Sequence, residues 1–419
     1  MEIRSEKECI VTPLGRGLDD TDQILTAISQ CGIGGKITFT EGNFNITRKM
    51  NWELRCAKVD LFGFLNFVPD VEFWLNKSNT YQVVFIQSQS SWFVVTGNDF
   101  EINAHNTGGI QGNGQVWWNY FTNHTRAGGD GRPIALTVFN ATRGVVKNFL
   151  IESQPFWCNT VAESKDIVYD GMKCNATNTN AEFAGMKHSS SIVPNTDGID
   201  TYRSDNIKLL NWDITNGDDC LVSLRNFSNP NSSNLFIKNV TCRGGNGITF
   251  GSLGQYFNLS DNVENVFMED LTMVRLPSSV QPNMITGVYF KTFTGEIVGT
   301  PPVNGGGGTG LVQNVTVRNV HVDQVEFPVQ LYQINGGNSS QTPSTLTFRG
   351  LHFKNWRGNV TGDTLVDLLC SPAVNCTDIT FDNFNISTAN NSMPQYFCQN
   401  VTSITGLDGS FNTYILNPV

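Results

Sequence analysis

The chain has 419 residues, a formal net charge of −10 and only 15 % charged residues, with a pI near 5.0. That balance argues against a nucleic-acid partner and disfavours steering towards another polyanion at neutral pH, while no stretch reaches the ~18 consecutive apolar residues of a membrane span. The abundance of Gly (40 residues), Asn, Thr, Ser and Phe, without long Ala/Leu/Glu/Lys patterns, favours many short strands joined by polar turns.

The N-terminus, Met1-Glu2-Ile3-Arg4, carries no apolar signal core, as expected of a chain whose secretory leader has been removed. The first predicted element is a helix within Asp19–Gln30, where Ile24, Leu25 and Ile28 fall at helical spacing behind acidic residues. Such a helix would cover the open apolar end of a solenoid, inside a cap region of about residues 10–45. Ten cysteines are scattered along the chain with no CxxC pair and no His-rich partner. They read as disulfides of an oxidising compartment and not as a zinc site. About sixteen Asn-x-Ser/Thr sequons between Asn45 and Asn400 agree with a secreted, extracellular glycoprotein.

From about residue 140 a pattern recurs: apolar-x-apolar, then Asn, Asp or Gly, then apolar-x-apolar. It appears at Val145, Ile167, Ile207, Leu235, Val266, Val315, Leu346 and Ile379. The spacing is mostly in the twenties to low thirties, with a longer gap before Val315 that holds Pro301-Pro302 and the Gly305–Gly308 run. A strand-like repeat of this length is the mark of a solenoid. The expected fold is all-β, one single-domain right-handed parallel β-helix over residues 1–419, with a C-terminal tail from about residue 390. Each turn would stack ~4.8 Å from the next. A β-propeller is disfavoured, since its ~40–45-residue blade signature is missing.

Three acidic residues stand in two short segments, Asn195-Thr196-Asp197-Gly198 and Gly217-Asp218-Asp219-Cys220. Asp197 and Asp219 are 22 residues apart and Asn246 follows Asp219 by 27, each about one solenoid turn. Equivalent positions on adjacent turns become neighbours across the stack. Glycosidic cleavage needs a proton donor and a base, and packed carboxylates supply both, because like-charge repulsion keeps one of them protonated. Adjacent strand residues point to opposite faces, so Asp218 and Asp219 can act together only if the chain bends. Gly217 makes a bulge plausible, and a Cys220–Cys242 bridge would hold it. The competing reading, a solvated Asp-Asp turn, has about even weight on spacing alone.

Asn195-Thr196-Asp197-Gly198, Gly217-Asp218-Asp219-Cys220 and the run Gly244 to Gly254 (GGNGITFGSLG) resemble glycoside hydrolase family 28, the polygalacturonases and rhamnogalacturonan hydrolases. Weaker matches are Ile110 to Gly114, Arg132-Pro133 and Gln154 to Trp157, so the similarity spans about residues 10–400. It implies a parallel β-helix and single-displacement inversion without cofactor or metal. By motif position Asp218 resembles the general acid, and Asp197 and Asp219 the pair that orients and deprotonates water. Asn195, Asn246, Tyr289 and Lys291 fall at substrate-binding positions.

Three places break the pattern. Asn246 stands where polygalacturonases have His, and Tyr289-Phe290-Lys291 where they have Arg-Ile-Lys. At the place of the tyrosine that the family carries some thirty residues later, Gln333-Ile334-Asn335 stands, with Tyr332 close by. Asn246 cannot titrate, and Tyr289 offers a ring and a hydroxyl in place of a charged fork. An aromatic face suits a neutral sugar such as rhamnose, and Lys291 still holds one carboxylate. The resemblance therefore implies a monomeric pectic hydrolase, exo-acting on rhamnogalacturonan and releasing terminal galacturonate. Exo-polygalacturonase, a rhamnohydrolase and an inactive pectin-binding relative are the alternatives. Segments 175–192 and 296–310 are the candidate cleft-closing loops. Trp117, Trp118, Trp157 and Tyr256 are candidate sugar platforms, with core positions equally open. A calcium-dependent pectate lyase is disfavoured, as no Arg stands beside the carboxylates.

Overall fold

The computed structural model describes residues 7–122, 124, 131–180, 191–224, 234–302 and 304–407. The chain is a parallel β-helix that divides into two compact units, Met1–Ala184 with Ile192–Asn216, and Gly185–Ser191 with Gly217–Val419. Among the described residues no helix is long and apolar enough to cross a membrane.

In the first unit each strand pairs in parallel with its equivalent one turn later. Phe93–Asn103 pairs with Leu136–Lys147, which pairs with Asn159–Ala162 and Lys165–Asp170. Those two pair in turn with Ile199–Tyr202 and Asp205–Thr215. Alternation in the sequence decides which face is inside: Met50–Arg55 buries Met50, Trp52 and Leu54 and exposes the residues between them. Large rings then stack from turn to turn, Phe39 on Trp52 at 5.1 Å and Phe67 on Trp92 at 4.3 Å.

The predicted cap helix forms as Thr21–Cys31 and buries Ile24, Ala27, Ile28 and Cys31, while Leu25 stays half-exposed. It packs on Lys7–Val11, Gly35–Phe39 and Met50–Arg55, and Cys31 is bridged to Cys9. The repeat therefore begins about a hundred residues earlier than its sequence pattern suggests. A helix that the pattern does not reveal, Gly114–Thr122, carries Trp117 and Trp118 into the interior. Trp157 is also buried, so these three tryptophans are core and not sugar platforms; Tyr256 is half-exposed.

The second unit is built from two columns of strands. Asp219–Leu224, Gly247–Leu253, Thr286–Phe293, Phe327–Asn335, Thr364–Leu369 and Gln395–Gln399 form one. Leu235–Arg243, Ser260–Val274, Thr309–Val325, Thr347–Val360 and Thr377–Ser387 form the other.

The polar residue in the middle of each repeat is a corner. Asn148, Gly171, Asn211, Asn239, Asp270, Asn319, Gly350 and Asn383 all have φ between 53° and 71°, a region open to Gly and tolerated by Asn and Asp. The asparagines also bond to one another up the stack. Asn319 Nδ2 donates to Asp270 Oδ1 at 3.1 Å, Asn355 Nδ2 to Asn319 Oδ1 at 3.0 Å, and Asn383 Nδ2 to Asn355 Oδ1 at 3.0 Å. The unit beginning at Leu346 is out of step with the others. Val315 pairs with Leu351, so Gly350 is the counterpart of Asn314, and Asn355 is the counterpart of Asn319.

Four disulfides form, Cys9–Cys31, Cys158–Cys174, Cys220–Cys242 and Cys370–Cys376. Cys56 and Cys398 carry no bridge, so the even count did not mean full pairing. Of the two candidate loops, 181–190 lie outside the described residues. The segment 296–310 is tied down: Gln255 Nε2 donates to the carbonyls of Pro302 and Asn304 at 2.7 and 3.1 Å.

Candidate active site

In the first unit, Asp197 lies in the turn that leads into the strand Ile199–Tyr202 and is 5 % exposed. Its carbonyl accepts from the Cys158 N–H at 2.7 Å, just before the strand Asn159–Ala162 that pairs with Ile199–Tyr202. The turn is pinned by Arg132, a buried residue that sequence reasoning gave no role. Arg132 Nη1 donates to the carbonyls of Pro155 and Pro194 at 3.0 and 2.8 Å, and Nη2 to Asn195 Oδ1 at 2.8 Å. Its guanidinium also lies over the Phe156 ring at 5.0 Å. Asn195, at φ 57°, thus spends its side-chain oxygen on the turn that presents Asp197. Thr196 Oγ1 closes the same turn on Val193 O at 2.7 Å.

In the second unit, the strand register slips between Asp219 and Leu221, which pair with Gly247 and Ile248. The bulge anticipated at Gly217 therefore sits at Cys220, whose disulfide to Cys242 anchors the extra residue. Asp218 and Asp219 are both half-buried there. Asn246 Nδ2 donates to Asp218 Oδ1 at 2.9 Å, and the Asp219 N–H donates to the same oxygen at 3.0 Å. Thr249 Oγ1 donates to Asp219 Oδ1 at 2.7 Å. The close approach of these turns depends on Gly247. Its φ is +86°, and a Cβ there would meet the Thr286 carbonyl oxygen at 1.9 Å.

Burial, and next the charge of Asp218, raise Asp219 to about 7; Lys291, Thr249 and Asn246 pull the other way. Tyr289 pairs with Thr249 on the next turn and is pushed up to about 12, chiefly by burial. The second unit thus gathers Asp218, Asp219, Asn246, Tyr289 and Lys291, and Asn195 and Asp197 belong to the first. Asp218 faces the Asn246 amide and the Asp219 N–H, and Asp219 the Thr249 hydroxyl and the charge of Lys291. Thr249 carried no sequence signal beyond its place in the run after Asn246; only strand register reveals it.

The profile of Glycosyl hydrolases family 28 matches residues 55–407. The chain belongs to this family. As a family 28 protein it is a glycosidase, a pectin-degrading hydrolase of O-glycosyl bonds. It is 38 % identical over 94 % of its length to a putative galacturan 1,4-alpha-galacturonidase A of Aspergillus niger, covering 91 % of that protein. It is 32 % identical over 90 % of its length to the exopolygalacturonase X of Aspergillus niger, covering 82 % of it. Among solved structures, the family 28 chain superposes on an endo-xylogalacturonan hydrolase from Aspergillus tubingensis with a TM-score of 0.79 at 21 % identity, over 96 % of this chain and all of that one. A polygalacturonase from Erwinia carotovora gives 0.65 at 16 % identity, over 96 % and 98 % of the two chains. These likenesses establish the fold.

Proposed function

We propose that the protein is an inverting exo-hydrolase that removes terminal galacturonate from pectic chains, with Asp197, Asp218 and Asp219 as its catalytic carboxylates. Asp218 donates the proton to the departing oxygen, and Asp197 with Asp219 orients and deprotonates water. The observation that carries this reading is the Asp218–Asp219 pair on its bulge, with Asn246 and Thr249 holding one carboxyl each. Burial and the charge of Asp218 raise Asp219 to about 7, so the pair shares one proton at mildly acidic pH, and the proposed roles require that proton to sit on Asp218. Asn246 donates a hydrogen bond to Asp218 without titrating, so the acid is held by a neutral partner.

For the sugars, Lys291 offers one cation beside Asp219 and Tyr289 a neutral ring. One charged and one neutral sugar across the cleaved bond suits rhamnogalacturonan, cut on the side that frees galacturonate. A second reading, exo-action on galacturonan itself, is favoured by the names of the relatives. Product analysis on oligomers of both polymers separates them. Galacturonate from rhamnogalacturonan alone supports the first, galacturonate from galacturonan the second. No product from either removes the hydrolase reading in favour of a pectin-binding protein, and unsaturated products indicate a lyase. Secretion and N-glycosylation belong to the same proposal, supported by the disulfides and the sequons, and a monomeric state is proposed with them.

A further inference from the structure

Asp367 is 3 % exposed and stands in the column Thr249, Tyr289, Gln330, Asp367 that climbs the second unit from the carboxylate pair. Hydrolysis as set out above does not call on it, and an idle carboxyl at such a position is costly. Its Oδ2 accepts a hydrogen bond from the Tyr332 hydroxyl. Its Oδ1 is buried and meets no donor in hydrogen-bonding geometry. Tyr332 is paired in register with Lys291, and its ring stands edge-on to Tyr289, the centroids 6.2 Å apart at 88°. Tyr289 in turn feels the charge of Asp219. A single hydroxyl thus links Asp367 to the wall of the site.

A phenol has one proton to donate. While Asp367 is ionised, Tyr332 commits that proton to it and turns only lone pairs towards Lys291. Once Asp367 is protonated, the carboxyl can donate to the Tyr332 oxygen, and the hydroxyl is released to donate outward. The same wall is an acceptor in one state and a donor in the other.

We propose that Asp367 and Tyr332 form a proton-dependent specificity relay for the carboxylate of a uronic acid beside Lys291. With Asp367 neutral, the Tyr332 hydroxyl and the Lys291 ammonium take the carboxylate together; with Asp367 ionised, the Tyr332 oxygen disfavours it. Asp367 is a positioning residue that acts through Tyr332. The groups around it agree. Burial raises the Asp367 carboxyl, against the opposing effect of Tyr332 and Gln330 on the strand Phe327–Asn335. From the strand Gln395–Gln399, the Cys398 thiol is held at about 12 by burial and by Asp367, and stays neutral throughout. On Thr286–Phe293 stand Tyr289 and the Lys291 cation.

The relay rests on the reading that the substrate carries galacturonate, and its test separates the two. KM and kcat are measured for a galacturonate oligomer from about pH 4 to about pH 8, a range spanning ordinary and raised carboxyl values, for wild type, Asp367→Asn and Tyr332→Phe. Wild-type KM is expected to rise about tenfold across that range, as expected when one favourable charge-assisted hydrogen bond is lost. Asp367→Asn, whose amide donates to Tyr332 at every pH, keeps KM low and flat. Tyr332→Phe keeps it high and flat, and both retain the wild-type shape of kcat against pH. If Asp367→Asn shows the wild-type rise in KM, or Tyr332→Phe is indistinguishable from wild type, the relay is overturned while the hydrolase reading stands. If wild type turns over no galacturonate-bearing substrate, both fall.

Discussion

Asn246 donates to Asp218 and Thr249 to Asp219, so each carboxyl of the pair has its own donor. The consequences are testable residue by residue. Asp218→Asn keeps the shape but has no acidic proton, and kcat is expected to fall by about 10²–10⁴, the usual range for a lost general acid. KM should change less than about threefold if the group acts in the transition state alone. Steady-state kinetics on a galacturonate oligomer give both. Asp219 adds a pH signature. Its folded value of about 7 lies above the ordinary 3.8, so the native state binds more protons than the unfolded chain between those values. Stability contributed by this group is greatest below about pH 4 and is lost as pH rises towards 7. Asp219→Asn should therefore be neutral near pH 4 and stabilising near pH 7, on the order of 4 kcal/mol, read as a difference in Tm at the two pH values. Unchanged Tm differences would mean that the carboxyl is not raised. One-turn spacing drew notice to Asp218, Asp219 and Asn246 but left a solvated turn equally open, and the motif resemblance singled them out. Arg132 was given no role, because its three acceptors come from chain segments remote from it in sequence.

At the scale of the element, the corner explains both the repeat and its errors. Four residues of strand lie between two left-handed corners, as at Asn265 and Asp270, Asn314 and Asn319, Gly350 and Asn355, and Asp378 and Asn383. A pattern reader sees one polar residue between two apolar triplets and cannot tell the first corner from the second, which is how the Leu346 unit fell out of step. The corner also predicts a ranking. Asn319→Ala loses the bonds to Asp270 and from Asn355 and adds left-handed strain, for about 2–3 kcal/mol in total. Asn319→Gly loses the bonds but not the conformation and should cost about 1–2 kcal/mol. Denaturant unfolding would rank them, and an alanine variant as stable as the glycine one would contradict the strain argument. The bulge at Cys220 is a second element-scale device. Replacing Cys220 and Cys242 by Ser should cost about 3 kcal/mol for a loop of this length, and should also lower kcat, since the bulge sets the two aspartates.

At the scale of the whole molecule, a stack of parallel turns brings together residues about one turn apart in the chain, as it does Asn246 with Asp218 and Thr249 with Asp219. The β-helix was readable from periodicity, while the carboxylates stood out through the motif resemblance and not through spacing alone. The bulge that turns Asp218 and Asp219 to their donors, the Tyr332–Asp367 link and the burial of Trp117, Trp118 and Trp157 depend on register and packing, which no local pattern encodes. The departures at Asn246 and Tyr289 remain the features that set this family 28 protein apart from a polygalacturonase pattern. The central claim is hydrolysis by inversion at an aspartate cluster. The direct measurement is proton NMR of the anomeric signal during the first turnovers of a galacturonate-terminated pectic oligomer. The account predicts galacturonate released first as the anomer opposite to the bond that was cut, with mutarotation following. Release with retained configuration would contradict it.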